Sequence, residues 1–163
     1  LSNSSFIRTP GMIISKKAYE ACGFYDPDRG IPLDFDMWSR LFGVFDLVES
    51  SALVACYTVH QNTETNRMFN RENLDIQLDI FDRVRRSGLV EDAQFRMSRN
   101  RYFNRWVMAG SYRALRNGAG WTAAREILDL LKSPELGWPS DPKLAAVRAG
   151  FAVAFLKPSL LLS

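Results

Sequence analysis

The first part of the chain carries its apolar residues in short runs that are separated by turn residues. Residues 12–14 form an apolar triplet after a Pro-Gly pair, and residues 53–59 form a second run rich in β-formers, so both predict buried strands. Between them, Ser15 can cap a short helix over residues 16–22, and residues 35–42 place large apolar side chains on one side of a second helix. This order of strand, helix, loop, helix and strand is too short to close a sheet by itself.

From about residue 70 the apolar positions recur at helical spacing instead. Residues 72–87 and residues 92–116 each carry such a stripe, and each stripe is followed by a glycine-containing stop signal. Thr122 is predicted to cap the next helix, and an Asp-Pro pair at residues 141–142 is predicted to open the last one. This part of the chain is therefore predicted to be all-α.

Charge divides the chain at the same place. Residues 1–69 carry 6 basic and 8 acidic side chains, a net charge of −2, whereas residues 70–163 carry 15 and 10, a net charge of +5. A composition of 47% hydrophobic and 24% charged residues excludes disordered and collagen-like proteins. We therefore predict an α/β part over residues 1–69 and an all-α extension over residues 70–163, in a chain that is mostly helical. Because the sequence opens on Leu1 without an initiator Met, we expect it to be a fragment of a longer protein.

The two cysteines, Cys22 and Cys56, give little support for a disulfide framework. A domain of this size needs no such crosslink, so we interpret both as free thiols in a reducing compartment. The chain has neither a Cys-x-x-Cys pair nor His-rich spacing, which argues against a structural zinc site. With no signal peptide at the start, these features favour the cytoplasm.

Two features of the helical part bear on partners. Residues 144–162 are strongly apolar, but Arg148, Lys157 and Pro158 interrupt the ~20 residues that a membrane span needs. This segment is either a docked C-terminal helix or a peripheral contact with the inner face of the membrane, through a set of large apolar side chains: Phe151, Phe155, Leu156, Leu160, Leu161 and Leu162.

The long predicted helix carries the second feature, a high content of arginine. Residues 91–117 hold six arginines against two acids. The arginines do not share one face, and no RNP, zinc-finger or helix-turn-helix signature accompanies them, so we exclude a nucleic acid partner. A solvated face and a contact with anionic lipid remain as interpretations of this charge.

The stretch at residues 33–41 is the most informative for chemistry. Asp34 and Asp36 lie two residues apart where a loop becomes a helix, and Arg40 follows. The exposed N–H groups of a helix N-terminus stabilise carboxylates, so the pattern fits a capping aspartate with an ordinary salt bridge. It also fits a general base beside a substrate hydroxyl, with the arginine orienting the base or the substrate. His60, the only histidine, ends the second predicted strand and opens a polar loop, as either a structural or a ligand-binding residue.

Three stretches within residues 5–66 resemble, in the same order, segments of family-two glycosyltransferases of the GT-A fold. Residues 10–17 followed by residues 21–26 resemble a strand, a helix and a Gly-Gly-Phe-Asp-like turn. Residues 33–41 resemble the Glu-Asp-x-x-Leu-x-x-Arg motif, and residues 57–60 resemble a Tyr-Arg-x-His strand end. The resemblance implies that residues 1–69 are the acceptor-side half of a Rossmann-like GT-A catalytic domain with few strands. The chain departs from the family pattern at two positions. Leu33 stands in place of the usual Glu, and Thr58 stands in place of the common Arg.

The resemblance also implies roles for individual residues. Asp34 falls on the catalytic aspartate that deprotonates the acceptor hydroxyl, and Asp36 is the second choice. Pro10 and Gly11 shape the acceptor side of the cleft, Arg40 either binds substrate phosphate or braces the loop, and His60 approaches the metal or the diphosphate. The substrate-binding set consists of Pro10, Gly11, Trp38 and Arg40.

The implied reaction is inverting transfer of a sugar from a nucleotide-sugar donor to a sugar or lipid-linked acceptor. A divalent cation, Mg²⁺ or Mn²⁺, would neutralise the leaving diphosphate. The metal-binding Asp-x-Asp motif and the donor-binding half are expected upstream of Leu1, so the fragment alone is expected to be inactive and to self-associate as a homodimer through unpaired edges. The alternative is a helical protein–protein interaction module over residues 70–163 without catalysis.

Overall fold

The computed structural model describes residues 9–52, 55–56 and 64–156. These ranges hold α-helices joined by loops and by single 3₁₀ turns at Thr9–Gly11, Pro27–Arg29, Glu64–Arg67 and Leu130–Lys132. In chain order the helices are α1 (Lys16–Cys22), α2 (Leu33–Leu41), α3 (Arg71–Arg86), α4 (Asp92–Arg116), α5 (Gly120–Asp129) and α6 (Pro142–Leu156). None of these helices is long and apolar enough to cross a membrane.

The prediction of an α/β fold for residues 1–69, as half of a GT-A domain, is wrong. No strand or sheet occurs among the described residues, although the expectation of a mostly helical chain is confirmed. Residues 12–15 are irregular, and Ile13 is 95% exposed instead of buried. An apolar triplet becomes a strand only where a neighbouring strand pairs with its backbone, and no described segment does so. The second predicted strand, residues 53–59, lies largely outside the described residues, and residues 55–56 have no regular structure.

The first predicted helix is confirmed with its caps. The Ser15 hydroxyl accepts a hydrogen bond from the backbone N–H of Ala18 at 3.2 Å, which satisfies one free donor of α1. The helix ends at Gly23, whose φ of +77° is a conformation that favours glycine. Local capping chemistry therefore sets both ends of this helix.

The helical part is confirmed in the order predicted, with shifted boundaries. Asn70 caps α3 by accepting from the N–H of Asn73 at 2.9 Å, and Asp141 accepts from Lys143 at 3.0 Å where α6 begins. The predicted cap at Thr122 is wrong, because α5 already begins at Gly120. The Asn-Gly turn after α4 is short, so α5 begins two residues before the predicted cap.

The main core is formed by α2, α3, α4 and the segment after α5. Phe81, Phe103 and Leu74 are fully buried in it, and Phe35 of α2 stacks on Tyr102 with ring centroids 5.4 Å apart. The opposite side of α2 packs in a smaller cluster, made of Ala18, Met37 and Leu41. Helix α2 therefore lies between two apolar clusters, and this burial holds the helix that carries both candidate aspartates.

Gly110 in α4 provides a test of this packing. A Cβ at Gly110 would overlap the ring of Phe69 and lie 2.8 Å from its Cβ, which is tied to the backbone and has little freedom to move. We expect Gly110→Ala to lower the free energy of unfolding by about 1 kcal/mol or more, because overlap outweighs the gain in helix propensity. Urea denaturation followed by circular dichroism measures this.

The matched control is Gly150→Ala in α6, where an added Cβ meets no atom within 4 Å. Only the helix propensity changes there, so we expect an increase of about 0.5–1 kcal/mol. Equal effects of the two substitutions would contradict the close approach of Phe69 to Gly110.

Candidate functional site

The candidate site lies in the loop between α1 and α2 and in the first turn of α2. Asp26 accepts a hydrogen bond from the backbone N–H of Asp28 at 3.0 Å and so opens the turn Pro27–Arg29. Gly30, with a φ of +55°, then redirects the chain into α2. Asp34 is consequently held in the first turn of a helix, where free backbone N–H groups favour a carboxylate.

Asp34 keeps part of its surface open to solvent. Its carboxylate accepts a hydrogen bond from the hydroxyl of Thr9, and none of the ion pairs among the described residues includes it. Burial raises the pKa of Tyr25, and the charge of Asp34 raises it further, as does Tyr19. Asp34 is therefore an accessible carboxylate with a hydroxyl bound to it and a protonated phenol within electrostatic range.

Asp36 has the opposite environment, since its side chain is only 1% exposed. Oδ2 accepts from Nε of Arg40 at 2.9 Å, and Oδ1 accepts from Nη2 of Arg83 at 2.6 Å. Nε of Arg29 lies 3.4 Å from the same Oδ1. Both oxygens of Asp36 are thus engaged by arginines from three different elements, which leaves no open position for a substrate hydroxyl.

Arg29 extends this network to the outer side of α3. Its Nη1 donates to Oδ2 of Asp79 at 2.6 Å. That hydrogen bond raises the pKa of the Arg29 guanidinium, with further increases from the charges of Asp36, Asp79 and Asp26, while burial acts in the opposite direction. The turn before α2 is therefore tied electrostatically to α3.

Arg40 braces the turn after α1. Besides Asp36, it donates from Nη1 to the carbonyl oxygen of Cys22 and from Nη2 to that of Phe24 at 2.8 Å. These carbonyls lie at the C-terminal end of α1 and just beyond it, where helix carbonyls lack intrahelical partners. In this geometry the guanidinium is directed at the protein, as expected of an arginine that braces the loop.

The remaining candidate residues separate into three groups. Pro10 and Gly11 are exposed and directly follow Thr9, so they lie beside Asp34. Trp38 is 8% exposed and belongs to the main core, where its Nε1 has no hydrogen-bond partner. His60 lies outside the described residues, so its implied role as a metal-binding or diphosphate-binding residue stays a prediction. The structure thus brings together the two turn residues and Asp34, and directs Trp38 away into the core.

The sequence did not identify Thr9, Tyr25, Arg29 or Arg83 as part of the site. Tyr25 lies within a stretch that resembles the glycosyltransferase motifs and Thr9 directly precedes one, so a search for hydroxyl groups near these motifs could have found both. Arg83 lies 47 residues from Asp36, and no local pattern connects the two. Only the packing of α3 against α2 brings this arginine to the buried carboxylate.

No family model, curated protein or solved structure matches this chain. The functional conclusion therefore depends on the geometry of the site and on the resemblance of its motifs.

The described residues hold no cluster of candidate ligands for Mg²⁺ or Mn²⁺. They contain no group of three or more His, Cys, Asp or Glu side chains placed to hold a metal ion. These cations prefer several oxygen ligands, and of the two neighbouring carboxylates only Asp34 is accessible. What this arrangement can do by itself is accept a proton at Asp34.

Proposed function

We propose that this chain is part of a glycosyltransferase that moves a sugar from a nucleotide-sugar donor to an acceptor hydroxyl. The observation that carries the proposal is the contrast between two aspartates in one helical turn. Asp36 is buried and bound by arginines, while Asp34 is accessible and free of ion pairs among the described residues. Together with the motif around them, this contrast supports Asp34 as the general base.

In this reaction Asp34 accepts the proton of the acceptor hydroxyl as the hydroxyl oxygen attacks the anomeric carbon of the donor. The bond from that carbon to the diphosphate oxygen breaks on the opposite face, so the configuration inverts. The Thr9 hydroxyl, hydrogen-bonded to Asp34, orients the carboxylate. Pro10 and Gly11, which are exposed next to Thr9, border the space for the acceptor.

Asp36 and Arg40 act in this proposal as positioning residues. Asp36 fixes α2 against α3 through Arg83, and Arg40 connects α2 to the end of α1. The first turn of α2, and with it Asp34, is therefore held from both sides. A general base contributes to rate only when its oxygen stays within hydrogen-bond reach of the proton that it removes.

The test is Asp34→Asn in the complete protein, with donor turnover measured by release of the nucleoside diphosphate in the presence of Mn²⁺. We expect kcat to fall by about 10²–10⁴-fold with little change in the KM for the donor, because the amide cannot accept the proton. Asp28→Asn is the matched control, since Asp28 is exposed, lies in the preceding turn and is expected to retain full turnover.

Unchanged turnover by Asp34→Asn would remove this residue from the role of base. If neither the complete protein nor its variants turn over any nucleotide sugar, the proposal as a whole is wrong. The alternative of a helical interaction module over residues 70–163 would then be favoured.

A further inference from the structure

The outward face of α6 carries no charged side chain between its first and last turns. Val147 is 50% exposed and Val153 is 55% exposed, and the residues around them are small and apolar. We call this surface the α6 face, and its exposed members are Ala146, Val147, Ala149, Gly150, Ala152 and Val153.

Arg148, the charged residue in the middle of α6, is directed away from the α6 face. Its Nη1 donates to Oδ1 of Asn104 at 2.7 Å, and its Nη2 donates to the carbonyl oxygen of Leu131 at 2.8 Å. The guanidinium carbon also lies 4.5 Å from the ring centroid of Trp138. Burial lowers the pKa of Arg148 relative to a solvated arginine. Arg148, one of the three residues that interrupt the apolar segment in the sequence, thus docks α6 on the protein.

The phenylalanines expected to contact a membrane are also directed inward. Phe155 is buried and stacks on Trp121 with ring centroids 4.4 Å apart, and Phe151 packs against the main core. The exposed apolar surface of α6 is therefore the valine and alanine side of the helix, not the phenylalanine side.

Positive charges lie in the first turn of α6 and on the neighbouring α4. Lys143 lies exposed in the first turn of α6, one turn before Val147. On the neighbouring α4, Arg101 pairs with Asp141 at 3.5 Å, and the exposed Arg105 follows one turn later. α4 has no acidic residue after Asp92, and α6 has none at all. Asp141, directly before α6, is paired with Arg101. The acids nearby in sequence are Glu126 and Asp129 of α5 and Glu135 of the following loop. Asp129 pairs with Lys132 at 2.8 Å, and Glu135 lies 3.5 Å from Arg71.

We propose that the α6 face, with Lys143 and Arg105 at its border, is a docking surface for an anionic lipid bilayer. An apolar face that inserts into the boundary between headgroups and acyl chains, beside cations that meet anionic headgroups, is the usual arrangement of an interfacial helix. Juxtaposed lysine and arginine side chains favour anionic over zwitterionic lipid through the negative surface potential. This inference stands independently of the sugar-transfer proposal.

The experiment is co-sedimentation of the 163-residue chain with vesicles of equal parts phosphatidylglycerol and phosphatidylcholine, and with vesicles of phosphatidylcholine alone. We expect binding to the anionic vesicles only, weakened by salt. The double substitution Val147→Gln and Val153→Gln is expected to weaken binding about tenfold, because two half-exposed valines lose their transfer into lipid. Lys143→Gln together with Arg105→Gln is expected to remove the preference for anionic lipid.

The matched control is Val44→Gln with Val48→Gln, two valines that are 67% and 90% exposed elsewhere on the chain. Its binding is expected to equal that of the wild type, and circular dichroism spectra establish that all variants are folded. Equal binding to both vesicle types, no binding to either, or a loss in the control as large as in the α6 variant would each overturn the proposal. A homodimer that the α6 variant dissociates, without vesicle binding, would assign this face to a second copy of the chain instead.

Discussion

Asp36→Ala is expected to lower the free energy of unfolding by about 3–5 kcal/mol, which is a large part of the total stability of a typical domain. The side chain is 1% exposed, and its removal leaves Arg29, Arg40 and Arg83 without their shared carboxylate. These guanidinium groups are 21–34% exposed and would keep only their other hydrogen bonds and a partial hydration shell in place of the carboxylate. Urea denaturation followed by far-ultraviolet circular dichroism measures the loss.

A control variant shows whether the loss is specific to the buried Asp36 or follows from removing any ion-paired aspartate. Asp75 is half exposed and pairs with Arg71 in the preceding turn of α3 at 2.7 Å, so Asp75→Ala removes a surface ion pair of the same chemical type. Exposed pairs contribute little to stability, and we expect its denaturation curve to remain close to that of the wild type. Similar curves for Asp36→Ala and Asp75→Ala would mean that the network around Asp36 does not hold α2 in place.

The helices were predictable because the signals that define them are local. Ser15 lies three residues before the N–H group that it caps, and the Asp-Pro pair at residues 141–142 begins α6 as expected. The apolar stripes of α3 and α4 also recur within single segments of the chain. A few turns of sequence are therefore enough to predict where these helices begin and end, independently of their tertiary contacts.

The predicted strand at residues 12–14 depended on information that the local sequence does not carry. A run of β-branched and large apolar residues fits a pleated, half-buried surface only when another strand supplies the partner backbone groups. Here Ile13 projects into solvent, and residues 12–15 follow a 3₁₀ turn instead of joining a sheet. No described segment pairs with residues 12–14, so this apolar triplet remains outside any sheet.

Only the part of the candidate site that depends on local spacing could be predicted from the sequence. The spacing of Asp36 and Arg40 places them one turn apart on a helix, and they form the salt bridge that was one of the two interpretations. What the sequence left open was which aspartate is accessible. That difference is determined by Arg29 and Arg83, which come from a preceding turn and from α3, and only tertiary packing brings them to Asp36.

Arg148→Met is expected to lower the free energy of unfolding by about 2–3 kcal/mol. The thioether fills a similar volume but cannot donate to Asn104, which is fully buried, or to the carbonyl oxygens of Leu131 and Gly137. Hydrogen bonds from charged donors contribute more than neutral ones, and a buried acceptor left without a donor costs its desolvation. Thermal unfolding and denaturant titration of the variant measure this loss.

Lys143→Met is the control for this prediction, because Lys143 is an exposed cation on the same helix and has no side-chain ion pair among the described residues. It is expected to leave stability within about 0.5 kcal/mol of the wild type. If Arg148→Met were equally mild, the apolar contacts of Leu144, Phe151 and Phe155 would suffice to hold α6 on the core. A large loss for Arg148→Met alone would show that the hydrogen bonds of this one arginine anchor α6 to α4 and to the segment after α5.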